Sequence, residues 1–187
     1  MIESDQKTAA FSSTNNLADK AAFTALFCAL YPNLLWYAGR FVSDAKSAED
    51  LTQEAFIRLW ERRTSLDTSR SVRALLYVTL RNLGLNHQRN VAAQKKALEQ
   101  MAPPAPPRAP ETDLDAHLLR QHLRTWIQAL PERQREAFEL SRFCGLSHRE
   151  IASVMEVAVH TVEKHITFAL RRLRDHLHDF DPDLLLS

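Results

Sequence analysis

The sequence predicts an all-α protein made of two small helical domains joined by a flexible, proline-rich linker. The chain has 187 residues but only 3 glycines, and alternating β-branched runs are few, which favours helices and short turns over a sheet. Five prolines between residues 103 and 110 remove backbone donors and block helix continuation there. The parts on either side, roughly 90 and 70 residues long, each suit a three- or four-helix unit.

This division gives five segments along the chain. A flexible N-terminal segment, a first domain, the linker, a second domain and a tail occupy residues 1–20, 21–92, 93–115, 116–180 and 181–187. The polar start, MIESDQKTAAFSSTNN, has no signal core, and we expect no later stretch to approach the ~20 apolar residues of a membrane span. Cys28 and Cys144 match no metal-ligand or CxxC spacing, so a reduced, cytoplasmic protein is the simplest expectation.

The most informative segment of the first domain is AEDLTQEAFIRLWERR, residues 48–63. Ser47 and Asp50 resemble a capping box, which predicts that a helix begins at Ala48. Phe56 and Trp60 lie one turn apart, and we expect them in the core because large aromatic side chains gain most from burial.

Polar residues of the same helix form a different surface. Asp50 and Glu54 belong to an acidic stripe, with Gln53 nearby, and this stripe must face either solvent or a basic partner. A metal site at Asp50 and Glu54 is a third alternative, but no histidine or further carboxylate is placed to complete its coordination shell.

The next segment, residues 66–90, is basic and rich in amides. The segment contains four arginines and a single acidic residue, Asp67, although the whole chain has a net charge of only +1. Arginines can bind phosphates and asparagines can read bases, so this composition permits nucleic-acid contact without requiring it. Tyr77 is the only aromatic residue in the segment, which argues against tight, sequence-independent binding of single strands.

The second domain has the pattern of a helix-turn-helix. A helix is predicted from Pro131 to about Arg142, and Gly145 follows it. Ser147 and Glu150 form a capping box for a short helix through Met155, and a turn at residues 156–159 leads into HTVEKHITFALRRLRDHL. The start of this last helix offers side chains for bases and its later part offers arginines for phosphates. A helical hairpin with solvated charges is the alternative.

Both halves resemble one family. The segments AEDLTQEAFIRLW, ALLYVTLRNL and ALPERQREAFELSRFCGLSHREIASVMEVAVHTVEKHITFALRRLR are similar to the two domains of an extracytoplasmic-function sigma factor of bacterial RNA polymerase. The resemblance covers about residues 21–90 and 116–176 and implies an alternative sigma factor that directs core polymerase to promoters. TVEKHITFAL further resembles the iron-uptake subgroup controlled by a membrane-anchored regulator.

The resemblance also implies partners and sites. It assigns Asp50, Gln53 and Glu54 to the clamp of the largest polymerase subunit, and Arg73, Arg81 and Asn82 to the minus-10 element. The minus-35 element would contact the last helix through His160, Thr161, Glu163, Lys164, His165, Arg171 and Arg172. Core polymerase with its clamp and flap regions, promoter DNA and an anti-sigma factor, membrane-anchored in some relatives, are the implied partners.

The chain departs from the family pattern at the turn. It has Met155-Glu156-Val157-Ala158 where Leu-Gly-Ile-Ser is common, and Leu75-Leu76 where Trp-Leu is common. A left-handed glutamate costs about 1 kcal/mol, and Ala158 lacks a capping hydroxyl. We therefore expect either a looser helix entry or a helix shifted by a residue or two and capped by His160 or Thr161.

Two other classes of protein are alternatives. A stand-alone helix-turn-helix regulator of the response-regulator output type would explain the second domain but not the first. An enzyme would need a catalytic constellation, and none is visible. We expect no enzymatic activity, no cofactor, no bound metal and no small-molecule substrate.

Overall fold

The computed structural model describes residues 19–67, 71–98 and 114–180. These ranges contain seven α-helices and no strand, which confirms the predicted all-α class. In chain order the helices are α1 Lys20–Ala38, α2 Ala45–Arg62, α3 Val72–Leu98, α4 Leu114–Ala129, α5 Glu132–Arg142, α6 His148–Met155 and α7 Val159–Phe180. The predicted N-terminal segment through residue 18, the linker prolines and the predicted tail lie outside the described residues.

Helices α1, α2 and α3 pack on one another and are called the N-terminal group. Leu26, Leu30 and Leu34 of α1 are buried and recur at helical spacing, which explains the face that α1 turns to the core. Gly84 of α3 lies against Phe41, and a Cβ at this glycine would be 2.2 Å from the ring. The absence of a side chain at residue 84 is therefore what lets Phe41 pack here.

The hydropathy of α1 corrects one expectation. By length and composition α1 is long and apolar enough to cross a membrane, with a mean hydropathy of 1.3. The expectation that no stretch would approach the length and hydropathy of a membrane span was therefore wrong. An apolar core helix can have the same length and hydropathy as a membrane span. In the structure α1 packs against α2 and α3.

The start of α2 also differs from the prediction. The helix begins at Ala45, one turn before the predicted Ala48, and Asp44 is its N-cap. The carboxylate of Asp44 accepts a hydrogen bond from the backbone N–H of Ser47 at 2.8 Å. The predicted capping box of Ser47 and Asp50 is therefore wrong, since the chain is already helical at Ser47.

Helices α4 to α7 form the C-terminal group, in which α4, α5 and α6 all pack on α7. The predicted helix ending at Arg142 is confirmed as α5, with the carbonyl of Pro131 accepting its first backbone hydrogen bonds. The capping box of Ser147 and Glu150 is confirmed at the start of α6. Between α5 and α6, Gly145 adopts a positive φ of 66°.

The turn from α6 to α7 resolves the question of the helix cap. Glu156 is left-handed, with φ 56° and ψ 47°, at the position where a glycine is common in the family it resembles. The carbonyl of Ala158 accepts from the backbone N–H groups of Thr161 and Val162, and α7 begins at Val159. The expectation of a shifted helix capped by His160 or Thr161 was wrong, because the backbone sets the helix start without a hydroxyl at residue 158.

The two groups contact each other through α3 and α6. Their buried side chains form one continuous cluster, in which Leu76 and Leu80 of α3 join Ile151 and Met155 of α6. At its edge the ring of Trp36 meets that of Phe143 edge to face, with the centroids 5.0 Å apart. The C-terminal group is thus packed against the N-terminal group over an apolar surface.

Glu156→Gly should raise the free energy of unfolding by about 1 kcal/mol relative to Glu156→Ala, because only glycine adopts the left-handed conformation without steric cost. Both variants lose the same charge, so their difference isolates the backbone effect. Urea denaturation measures it. Equal stability of the glycine and alanine variants would contradict strain at this turn.

Gly84→Ala should lower the free energy of unfolding by about 1–3 kcal/mol, because the new methyl group overpacks the site of Phe41. Gly39→Ala is the matched control, since the nearest atom to its new Cβ would be the carbonyl oxygen of Trp36, at 3.2 Å. Urea denaturation of both variants provides the comparison. A Gly84→Ala protein as stable as Gly39→Ala would show that Phe41 can move aside.

Candidate nucleic-acid interface

The predicted acidic face of α2 lies on the surface. Asp50 and Gln53 are exposed, whereas Glu54 is partly covered. The carboxylate of Glu54 accepts a hydrogen bond from Nε of Arg58, one turn later, at 2.7 Å. This exposed pair contributes little to folding, so the face is available to a partner.

Aromatic residues hold α2 from the opposite side. Phe56 is buried, as predicted, and its ring lies 4.7 Å from that of Phe27 in α1. Trp60 is only half-buried, with Phe23 at 4.8 Å and the guanidinium of Arg63 3.9 Å above its ring. This packing fixes the orientation of α2 and hence of its polar face.

Arg81, predicted to meet the minus-10 element, is buried between the two groups. Its Nε donates to Glu136 of α5 at 2.8 Å, and the two side chains are 11% and 5% exposed. The hydroxyl of Tyr37 donates to the same carboxylate at 2.9 Å. Burial, reinforced by the charge of Glu136, holds the pKa of Tyr37 well above its usual range, so the phenol keeps its proton. Two charges and a phenol thus satisfy one another away from water.

Arg73, also predicted for the minus-10 element, is held by Glu150 of α6. Its Nε and Nη2 donate to the two carboxylate oxygens at 3.1 and 2.6 Å, and the hydroxyl of Ser71 donates to the same group at 2.7 Å. Burial alone would raise the pKa of Glu150, but the hydrogen bonds from Arg73, Ser71 and Ser147 outweigh it and lower the pKa to about 2. The carboxylate is therefore ionised at neutral pH.

Arg40 makes a third connection that sequence reasoning missed. It lies just after α1 and forms ion pairs with Glu132 and Glu139 of α5. The partners are separated by 92 and 99 residues in the chain, so no local pattern could have identified them. The pairs of Arg40, Arg73 and Arg81 with glutamates of the C-terminal group are called the inter-group ion pairs below.

Asn82, the third residue predicted for the minus-10 element, remains exposed. It lines a cleft of about 220 Å³ between α2 and α3 together with Thr79, Arg58 and Arg62. The two arginines were not singled out from the sequence, although their position one turn apart on α2 was a usable signal. The cleft combines an amide, a hydroxyl and two cations with an apolar wall.

The start of α7 presents most of the residues predicted for the minus-35 element. His160, Glu163 and Lys164 are exposed, whereas Thr161 and His165 are partly covered. A carboxylate oxygen of Glu163 lies 3.8 Å from Nδ1 of His148. These side chains occupy one end of a helix that its buried residues anchor to α5 and α6.

The later part of α7 carries exposed cations. Arg171 and Arg172 are both solvent-exposed, more than three turns beyond the start of the helix at Val159. Phe168, which sequence reasoning did not single out, is 48% exposed on the same helix. The arrangement separates mixed polar side chains at the helix start from arginines farther along, as docking in a DNA major groove requires.

Comparison with protein families identifies both halves of the chain. Residues 26–93 match the model described as "Sigma-70 region 2", and residues 120–173 match "Sigma-70, region 4". The extracytoplasmic-function (ECF) RNA polymerase sigma factor SigL of Mycobacterium tuberculosis is 30% identical over 159 residues, which cover 82% of this chain and 90% of SigL.

Two further comparisons agree with this assignment. The ferric citrate uptake sigma factor FecI of Escherichia coli is 30% identical over 162 residues, covering 82% of this chain and 93% of FecI. The solved sigma factor RpoE of Bartonella quintana, in complex with the anti-sigma factor NepR, has the same fold, with a TM-score of 0.66 at 23% identity, covering 83% of this chain and 96% of that one. FecI is no more similar than SigL, so the iron-uptake subgroup stays a prediction.

The order of a region 2 and a region 4 in one chain is that of a transcription initiation factor and not of a stand-alone helix-turn-helix regulator. The chain belongs to the sigma-70 family, as an ECF sigma factor that directs RNA polymerase to promoters.

Proposed function

We propose that this sigma factor docks on the clamp of the largest polymerase subunit through Asp50, Gln53 and Glu54. The observation that carries the proposal is the exposure of Asp50 and Gln53 on a helix that the buried ring of Phe56 anchors to α1. A rigid helix that presents fixed carboxylates suits a basic partner surface, since complementary charge steers association and sets orientation. Phe168 of α7 is an apolar candidate for the flap contact.

The minus-10 element is assigned to Arg73, Arg81 and Asn82. Two guanidinium groups and an amide lie along α3, and the cleft beside Asn82 offers polar groups and an apolar wall to an unstacked base. Arg58 and Arg62 at the rim of the cleft are suited to hold the phosphates of the same strand.

The minus-35 element is assigned to α7. His160, Thr161, Glu163, Lys164 and His165 at the helix start would reach base edges, and Arg171 and Arg172 would hold phosphates. The exposure of most of these side chains supports this division. Glu163 requires a partner that donates a hydrogen bond, such as the amino group of cytosine.

An anti-sigma factor and a cytoplasmic location complete the proposal. The sigma factor RpoE, which shares the fold, was solved in complex with the anti-sigma factor NepR. A comparable partner of this chain would have the acidic face of α2 and the exposed side of α7 to cover, and a membrane anchor on that partner would couple the factor to an outside signal.

Reversing the charges of the docking face should abolish binding to core polymerase. Asp50→Lys/Glu54→Lys replaces two attractive contacts by repulsive ones, whereas the fold should persist because exposed charges contribute roughly 0–1 kcal/mol each. Core binding is measured by fluorescence anisotropy of the labelled factor, and folding by circular dichroism.

Asp175→Lys/Asp179→Lys is the matched control for this reversal, because it reverses two exposed carboxylates that lie on α7 and not on α2. It should leave core binding near that of the unmodified protein. Normal binding by a folded Asp50→Lys/Glu54→Lys variant would exclude this face as the docking site.

Substitutions in α7 should separate base reading from phosphate binding. Arg172→Ala should weaken use of all promoters about equally and reduce the salt dependence, whereas Lys164→Ala should change preference at particular minus-35 bases by about 1–3 kcal/mol. Transcription from a promoter library by reconstituted holoenzyme measures both effects. The opposite assignment, with Arg172 selective and Lys164 uniform, would mean that α7 lies differently in the groove.

A further inference from the structure

Phe168 is an exposed aromatic side chain in the middle of α7. Its ring is 48% exposed, although large aromatic side chains gain most from burial. The other exposed phenylalanines of the C-terminal group each have a ring beside them, since Phe143 contacts Trp36 at 5.0 Å and Phe180 contacts His122 at 4.6 Å. Among the described residues, no such ring lies beside Phe168. Its ring is thus available to a partner.

Phe168 lies on the surface of α7 that the proposed function assigns to DNA. Lys164 lies one turn before it, Arg171 and Arg172 lie one turn after it, and all three are exposed. These cations take no part in the inter-group ion pairs. The opposite side of α7 carries its buried residues, Val162, Ile166, Ala169 and Leu173. The ring is therefore flanked along the helix by groups that attract DNA phosphates.

The major groove of DNA offers one kind of apolar group to such a ring. The base edges there carry hydrogen-bond donors and acceptors, and the apolar substituent is the 5-methyl group of thymine. A phenyl ring over any other base edge would remove donors and acceptors from water without replacing their hydrogen bonds, which is costly. Contact with the methyl group instead buries apolar surface on both sides. A phenylalanine at this position of α7 therefore favours thymine.

The rise of the helix limits where this thymine lies. Phe168 is four residues beyond Lys164, which is about 6 Å along the helix axis. Stacked bases are about 3.4 Å apart along the DNA. The two side chains should therefore act on base pairs that are within about two steps of each other.

Contact with the polymerase flap is the alternative role of Phe168. The buried centre of a protein–protein interface is depleted of charged residues, whereas a protein–DNA interface is strongly positive. The exposed residues one turn away from Phe168 in both directions are cations. This environment favours DNA over an apolar protein groove as the partner of the ring.

We infer that Phe168 is a specificity-determining residue of this sigma factor, whose ring contacts the 5-methyl group of a thymine in the minus-35 element. This inference rests on the proposed docking of α7 in the major groove. It gives the helix an apolar means of reading a base, in addition to the hydrogen-bonding side chains at its start.

The test removes the methyl group and the ring separately. A promoter used by the reconstituted holoenzyme keeps its minus-10 element, and its minus-35 region is randomised in two libraries. One library contains thymine, and the other contains uracil, which lacks only the methyl group. Duplexes bound by holoenzyme with the unmodified factor or with Phe168→Ala are recovered and sequenced, which gives the base preference at each position. Phe143→Ala is the matched control, because Phe143 is 46% exposed but does not lie on α7.

Holoenzyme with the unmodified factor should select thymine over uracil about fourfold at one position, which corresponds to burying one methyl group at about 0.8 kcal/mol. Phe168→Ala should lose this discrimination and bind the two libraries alike at that position. Phe143→Ala should behave like the unmodified factor. Lys164→Ala should change the preference at a base pair within about two steps of the thymine.

Equal selection of thymine and uracil at every position by the unmodified factor would overturn the inference, and this arm does not depend on how any variant folds. Discrimination that survives in Phe168→Ala would also overturn it. So would a flap contact, which would make a folded Phe168→Ala weaken binding of all duplexes equally in both libraries.

Failure of the proposed docking of α7 gives a different result. In that case Lys164→Ala, like Phe168→Ala, would leave every minus-35 preference unchanged. If α7 reads the element without Phe168, Lys164→Ala alone would shift a preference. Circular dichroism of each variant shows whether it is folded.

Discussion

The buried pair of Arg81 and Glu136 constrains how the two halves of the molecule meet. Each charge can lie away from water only because the other is within hydrogen-bond distance, and the hydroxyl of Tyr37 completes the shell of the carboxylate. Apolar contacts between α3 and α6 supply attraction but no unique alignment. The directional hydrogen bonds of the ion pairs set the alignment, and the apolar cluster then packs around it.

The same chemistry explains why arginines of the N-terminal group meet glutamates of the C-terminal group. A protein that must bind nucleic-acid phosphates carries guanidinium groups, and such groups attract any correctly spaced carboxylates of the same chain. Here α5 and α6 supply those carboxylates on the side that faces the N-terminal group, at Glu132, Glu136, Glu139 and Glu150. The acidic residues of the C-terminal group are therefore complementary to the basic residues of the N-terminal group.

Local features of the fold were predictable where the sequence encodes them within a few residues. The capping box of Ser147 and Glu150 marks the start of α6, because both hydrogen bonds of the box form between residues three apart. The start of α2 was predicted one turn too late because Ser47 is also a common N-cap residue. The N-cap in the structure is Asp44. Either residue could cap the helix, and the choice fixes where the preceding chain joins it. Tertiary packing decides that position.

The candidate site also has a part that could be predicted from the sequence and a part that could not. The exposure of Asp50, Gln53, His160 and Lys164 follows from helical periodicity, and it agrees with the surfaces expected from the sequence. The all-α class and the two sigma-factor regions are likewise properties of the sequence itself. These properties depend on spacings within single helices or on motifs of consecutive residues.

Only the tertiary structure decided what Arg73 and Arg81 contact. Their partners lie 77 and 55 residues away, and a charged residue has no periodic signal that identifies a distant counter-ion. In the sequence, the glutamates of α5 and α6 look like ordinary polar positions of amphipathic helices. They become ligands of arginine because α3 and α6 pack face to face, and in that packing a buried charge is tolerated only beside its opposite.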